Sequence, residues 1–194
     1  KEALRSMLID NKFADAGIRV PTPYGCFGGV LIMDLITDVE GFAAPRLNDV
    51  TLSEEEALDH HAKMMDYVVR MLSVGIIHGD LSEFNVLVDE EGPVIIDLPQ
   101  AVNAAGNNNA KDMLLRDVNN MKQYYSQFAP SLAGTRYGDE IWAVFETGEL
   151  SPKTVLTGKF VDSEISADVD MVLHEINAAR EEELDRLDRI SDPE

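Results

Sequence analysis

The sequence predicts an α+β fold, mainly helical, with one isolated apolar strand near its start and a short β-hairpin carrying its most chemically suggestive residues. Three observations predict it. Apolar residues recur at helical spacing in residues 2–15, 53–74 and 111–127. Val86-Leu87-Val88 and Pro93-Val94-Ile95-Ile96 read as two apolar strands joined by the turn Asp89-Glu90-Glu91-Gly92. Val30-Leu31-Ile32-Met33 reads as a buried strand that exits into Asp34-Leu35-Ile36-Thr37.

The first helix ends at Gly17, followed by Pro21 and Pro23, which cannot continue it. Tyr24 to Gly29 is a turn-rich connection to the apolar strand. Ser53-Glu54-Glu55-Glu56 is a capping box, and the helix it opens carries Leu58, Met65, Val68, Val69 and Leu72 on its apolar face. Met64, Met65 and Met71 are core filler. His60 and His61 are adjacent, so they cannot face one metal and take surface or packing roles. Gly75 ends this helix, and Ile76-Ile77 runs into the polar loop that follows. Beyond Asp97 an irregular tract leads to a helix over residues 111–127. Its face is Leu114, Val118, Met121, Tyr125 and Phe128, and its start is open to capping by Asn107-Asn108-Asn109. Pro130 to Tyr137 is a loop, residues 139–145 are helical with Trp142 packed, and Ser151-Pro152 begins a further connection. A last helix over residues 165–190 carries Ile165, Val169, Val172, Leu173, Ile176, Leu184, Leu187 and Ile190. That stripe must dock on its own domain or on a protein partner. The segment from Asp162 to Glu194 holds twelve acids against three arginines.

At 194 residues the chain is long enough to bury a core. Hydrophobic residues make up 45% and charged residues 27%, as in an ordinary globular protein. No apolar run approaches the roughly 20 residues that span a bilayer, and the charged N-terminal stretch is no signal peptide. One cysteine, Cys26, excludes an internal disulfide and fits a cytoplasmic setting. The net charge of −20 and the scattering of the 16 basic residues argue against direct nucleic-acid binding.

The chemistry concentrates in His78-Gly79-Asp80-Leu81-Ser82-Glu83-Phe84-Asn85 and in Ile95-Ile96-Asp97. Phosphoryl transfer needs a carboxylate to orient the attacking hydroxyl and oxygen ligands to hold Mg²⁺ on the phosphates. Asp80 suits the first role, Asn85 and Asp97 the second, and the hairpin between them brings Asn85 and Asp97 together at its open end. His78 reads as a scaffold residue bonded to the backbone near Asp97. Glu83 reads either as a surface or scaffold acid or as a further acid on the metal side.

These segments resemble the catalytic and metal-binding loops of the protein-kinase-like superfamily and, more narrowly, the RIO kinase family. The narrower resemblance rests on Ser82-Glu83-Phe84-Asn85 and Ile96-Asp97-Leu98-Pro99-Gln100-Ala101-Val102. Further support comes from Ala16-Gly17-Ile18-Arg19-Val20-Pro21-Thr22-Pro23, from Val30-Leu31-Ile32-Met33-Asp34 and from Leu115-Arg116-Asp117-Val118. It covers roughly residues 10 to 130, and the remainder resembles, more weakly, the C-terminal extension of bacterial members. The resemblance implies a kinase-like fold in three parts. Residues 1–36 would be a remnant of the small lobe, residues 37–150 the large lobe, and residues 151–194 an acidic helical extension. It implies ATP with Mg²⁺ or Mn²⁺, and adenine bonded by the backbone of Asp34 and Ile36 with Met33 behind it. Arg116 and Asp117 would tie their helix to the catalytic loop. Ser82 would stand where many protein kinases place a phosphate-contacting lysine.

A glycine-rich phosphate loop and a strand lysine are not found: Gly25, Gly28 and Gly29 do not form such a loop, and none of the seven lysines lies in an apolar strand. The family places both elements upstream of Lys1, so the expectation is a kinase whose N-terminal lobe is largely missing from this chain. Glu2 lies in the helix that would supply the lysine's carboxylate partner. The tract after Asp97 is short and lacks an Ala-Pro-Glu segment. That favours autophosphorylation, ATP hydrolysis or a restricted protein substrate acting on serine or threonine hydroxyls. The alternatives are a small-molecule phosphotransferase of the aminoglycoside-kinase type and a non-catalytic interaction module.

Overall fold

A computed structural model describes residues 2–161 of the protein. The chain forms two units, residues 1–159 and 160–194. The expected helix over residues 165–190 lies outside the described residues.

The first unit begins with α1 (Glu2–Asp15), which turns its buried Ile9 and Phe13 inward and stops at Gly17, where φ is +78°. Strands β1 (Pro23–Phe27) and β2 (Val30–Met33) then pair antiparallel across a Gly28-Gly29 turn. Both glycines take positive φ, +59° and +86°, the requirement of a tight hairpin turn. Tyr24 to Phe27 is therefore strand, where the sequence suggested a connection. The expected strand 30–33 forms but is not buried: Val30 is 65% exposed and Ile32 48%. Two strands cannot enclose both faces of a ribbon, and no third strand joins this sheet among the described residues.

Helix α2 (Glu54–Ser73) starts at the capping box the sequence announces. Ser53 Oγ accepts from Glu56 N at 3.2 Å, and Glu56 accepts in return from Ser53 N at 2.8 Å. Met64, Met65, Val68, Val69, Met71 and Leu72 are buried, whereas Leu58 is 39% exposed, near the solvent end of the helix. His61 is a packing residue. Its ring lies edge-on to Tyr125 at 5.8 Å, and burial pushes its pKa down to about 4, so it is neutral.

The short strand β3 (Ile76–Ile77) pairs with β6 (Val102–Asn103), and β4 (Val86–Asp89) pairs with β5 (Gly92–Ile95) in the anticipated hairpin. Helix α3 (Ala110–Tyr125) buries Leu114, Val118, Met121 and Tyr125, while Phe128 lies beyond its end and is half-buried. No side chain caps its N-terminus; Asn107 Oδ1 instead accepts from Asn109 N at 2.9 Å in a local turn. Helix α4 (Tyr137–Glu146) packs on α2 and α3 and carries Trp142, half-buried against Phe145. Glu140 of α4 accepts from Thr157 N and Gly158 N, at 2.9 and 2.8 Å, and so holds the tract that follows the helix.

The core lies among α2, α3 and the strands that carry the polar loops, with Leu72, Ile77, Leu81, Ile95, Met121 and Ile141 fully enclosed. Because the capping box satisfies otherwise orphaned N–H groups, Ser53→Ala is expected to lower unfolding free energy by about 1 kcal/mol, read from urea denaturation. An unchanged midpoint would contradict this account of α2.

Candidate active site

The loop from His78 to Asn85 is built from underneath by α3. Asp117, 2% exposed, accepts from Gly79 N at 2.7 Å and from Leu81 N at 3.1 Å. Its neighbour Arg116 donates to the Gly79 carbonyl, and Asn120, one turn on, donates to the Leu81 carbonyl at 3.0 Å. Burial pushes the Asp117 carboxyl up to about 6, against the pull of the Gly79 and Leu81 N–H groups and of Arg116. At neutral pH it is ionised, an acceptor matched to two donors. Gly79 has φ +82°, and a Cβ there would lie 2.8 Å from the Gln100 carbonyl, so only glycine fits.

His78 is 1% exposed. Its Nδ1 accepts from Asp80 N at 3.3 Å, which leaves Nε2 to donate to the Ile96 carbonyl at 3.1 Å. Burial lowers its pKa, keeping the ring neutral. It is a strut between the His78–Asn85 loop and the residue before Asp97, as the sequence suggests.

Asn85 closes the loop. Its Nδ2 donates to the Asp80 carbonyl at 2.8 Å and to Asp80 Oδ2 at 3.3 Å. With the amide nitrogen so engaged, Oδ1 is the atom left to face a cation. The Asn85 carbonyl accepts from Ile96 N at 3.0 Å, so Asn85 and the residue preceding Asp97 are direct neighbours at the open end of the hairpin. Asp97 is exposed and is, among the described residues, the one non-glycine residue at positive φ, +65°. Such a conformation costs roughly 1–3 kcal/mol and is characteristic of functional positions. Asp80 is exposed as well, and its carboxylate accepts from Asn85.

The donor set fits a hard divalent cation, which takes oxygen ligands and usually needs few from the protein when phosphates supply the rest. Asn85 Oδ1 and the Asp97 carboxylate are of that kind. Among the described residues no three His, Cys, Asp or Glu side chains converge as a self-sufficient metal cluster.

The hairpin is locked to the segment after α1. Arg19 pairs with Asp89 through two bonds, 2.8 and 2.6 Å, and with the Gly92 carbonyl at 3.1 Å. The Arg19 guanidinium holds the Asp89 carboxyl below its usual range. The Arg19 carbonyl accepts from Ile95 N at 2.9 Å.

A pocket of about 340 Å³ opens beside Asp97, with Met33 and Leu31 of β2, Leu98, and Glu2, Ser6 and Asp10 of α1 in its wall. Met33 and Asp97 thus share one cavity. Beyond β2, Asp34 N donates to the Thr22 carbonyl and the Ile36 carbonyl accepts from Ala44 N, both at 2.9 Å. Among the described residues the Asp34 carbonyl and the Ile36 N–H have no protein partner. Ser82 is half-buried, and its carbonyl accepts from Asn85 N at 3.0 Å.

Three features escaped the sequence reading. Arg19–Asp89 joins residues seventy apart, and no local pattern announces it. Asp10 is 3% exposed, yet it sits on an amphipathic helix where an acid reads as surface. The spacing of Asn120 from Asp117, one turn on the same helix face, was the available signal for its role.

With that geometry in place, the comparisons with known proteins are specific. The RIO domain family matches residues 3–137. The chain is 34% identical over 110 residues to the RIO-type serine/threonine-protein kinase Rio1 of Haloferax volcanii, covering 57% of this chain and 37% of that protein. It is 37% identical over 113 residues to the RIO-type serine/threonine-protein kinase Rio2 of Methanocaldococcus jannaschii, covering 57% and 40%. It is 32% identical over 127 residues to the RIO-type serine/threonine-protein kinase Rio1 of Thermoplasma acidophilum, covering 66% and 62%. The fold and loops define a chain of the kinase-like class. This chain belongs to the RIO domain family, and its helices and small antiparallel sheets form a RIO kinase-like α+β fold. It spans about two fifths of the length of the first two relatives. Among the described residues no helix is long and apolar enough to cross a membrane.

Burial pushes the Asp10 carboxyl up to about 6, above its unfolded value. The folded state therefore holds this proton where the unfolded chain has lost it, and stability contributed by Asp10 falls as pH rises from about 4 through 6. Asp10→Asn is expected to gain about 1–3 kcal/mol over wild type at pH 7 and little at pH 4, measured by urea unfolding at both pH values. An equal difference at the two pH values would contradict a buried Asp10 carboxyl with a pKa raised to about 6.

Proposed function

We propose that this chain carries the catalytic and metal-binding loops of a RIO-type kinase that transfers phosphate from Mg·ATP to serine or threonine hydroxyls, its own included. The observation that carries this reading is the single hydrogen-bonded unit linking Asp80, Asn85 and the residue before Asp97. In it Asp80 orients the acceptor hydroxyl and takes its proton late in transfer. Asn85 Oδ1 and the Asp97 carboxylate would hold the cation, Mg²⁺ or Mn²⁺, which when bound would supply positive charge against that developing on the phosphates. Ser82, beside Asp80, donates from its hydroxyl to phosphate without adding charge.

The pocket behind Asp97 supplies the nucleotide wall, with Met33 at its back. The Asp34 carbonyl and Ile36 N–H, an acceptor and a donor on the exit from β2, match the donor and acceptor edge of adenine. His78, neutral and doubly bonded, fixes the two loops and takes no part in proton transfer. Only twelve residues separate Asp97 from α3, which leaves little chain to hold a long peptide. That shortness favours self-modification or a restricted protein acceptor, and water in the acceptor position would give ATP hydrolysis from the same residues. The names of the relatives, serine/threonine kinases of the RIO type, support the same class of reaction. The reading also takes residues 1–36 as belonging to the small lobe, residues 37–150 to the large lobe and residues 151–194 to an extension suited to a protein partner, in a cytoplasmic protein.

The test is Mg²⁺-dependent ADP release from ATP by the intact protein, with and without Asp97→Asn. Asparagine tolerates positive φ, so the variant removes charge while keeping the backbone. Turnover is expected to fall by about 100-fold or more. Equal turnover in the variant would refute a metal role for Asp97.

A further inference from the structure

A second pocket, of about 330 Å³, opens on the other flank of the catalytic loop. Its wall is Ser82 and Glu83 from the loop and Asn120, Gln123, Tyr124 and Gln127 from α3 and its end. It shares no lining residue with the pocket of Met33 and Asp97. Of its lining only Ser82 takes part in the reaction proposed above, and the pocket begins two residues after Asp80.

The frame of this pocket is rigid. Asn120 is spent on the Leu81 carbonyl, and Tyr124 Oη donates to the Leu47 carbonyl. Asn48 N donates to the Glu83 carbonyl at 3.2 Å, which fixes the loop backbone. The groups left over are the amides of Gln123 and Gln127 and the carboxylate of Glu83. Among the described residues none of the three has a hydrogen-bond or ion-pair partner. Gln123 sits on α3 and Gln127 just past its end, and their two amides offer donors and acceptors in both directions, as the backbone of an extended peptide requires. Glu83 is the one charged group in the lining, and no lysine or arginine stands there. Asp49 adds to the same negative field: with Glu83 it raises the Tyr124 pKa, second to burial.

We infer that this pocket docks the phosphate acceptor and selects a basic polypeptide segment around the hydroxyl, with Glu83 facing a lysine or arginine and Gln123 and Gln127 bonding the peptide backbone. The inference rests on the kinase reading above and names the substrate class for it. A cation gains from Glu83 and from the acidic surroundings. An acidic segment or a nucleotide is repelled by them.

Fluorescent peptides with a central serine flanked by arginine, by alanine or by glutamate test this, through anisotropy with the intact protein. The arginine peptide is expected to bind about three- to fivefold tighter than the alanine peptide, and the glutamate peptide weakest. Glu83→Gln should erase that preference. Glu90→Gln, equal in charge and placed in the exposed β4–β5 turn, should preserve it. Equal binding of all three peptides would overturn the proposal, as would equal losses in the two variants, which would trace the attraction to net charge. ATP-dependent labelling is scored separately. Alanine and arginine peptides labelled equally fast at subsaturating concentration would overturn the proposal and leave the kinase reading standing. The binding preference with no peptide labelled would support the pocket's selectivity and count against the kinase reading.

Discussion

One buried carboxylate fixes the loop around Asp80. Asp117 accepts from the backbone on both sides of Asp80, and without it two N–H groups in the interior would lack acceptors. An unsatisfied buried donor costs about 1–3 kcal/mol, more than most single contacts return. The loop therefore cannot settle elsewhere while α3 stays packed. Arg116 and Asn120 add the carbonyl side of the same bargain, so the peptide groups around Asp80 are held through donors and acceptors alike. The position of Asp80 thus follows from the packing of Leu114, Val118 and Met121, which seat α3 in the core.

From that fixed loop the remainder of the site follows by short links. His78 bridges to the Ile96 carbonyl, Asn85 bridges to Ile96 N, and both place Asp97 beside the loop. Arg19 grips the far end of the hairpin through Asp89, so the strands leading into and out of the site are held at both ends. Asp80 and Asp97 stay exposed and Asn85 half-buried, and these are the oxygen donors that the proposed metal-phosphate complex would use.

Much of this was legible in the sequence because it is local. The capping box at Ser53 lies within four residues, the hairpin around Glu90 within eleven, and helical spacing marks Val118 and Met121 directly. The polar order His78, Asp80, Asn85, Asp97 is visible in the sequence, and the hairpin expected between them forms and brings Asn85 beside the residue before Asp97. Burial was less legible. Val30 and Ile32 have the composition of a core strand, but exposure depends on what covers them, which four residues cannot encode. Tyr24 to Phe27 was hidden by Gly25 and by the glycines that follow, whose turn chemistry belongs to the hairpin. Arg19–Asp89 and the buried Asp10 depend on tertiary neighbours distant in sequence. The second pocket is of the same kind: Glu83 and Gln127 look like solvated surface until α3 is set against the catalytic loop.

The most direct test of the account is amide hydrogen exchange at Gly79 and Leu81 in Asp117→Asn against wild type. An asparagine amide nitrogen cannot accept, so at most one of the two N–H groups keeps its partner. The account predicts that at least one of these amides exchanges about tenfold faster or more, while amides in the middle of α2 keep their protection. Unchanged protection at both Gly79 and Leu81 would contradict the claim that Asp117 holds the loop around Asp80.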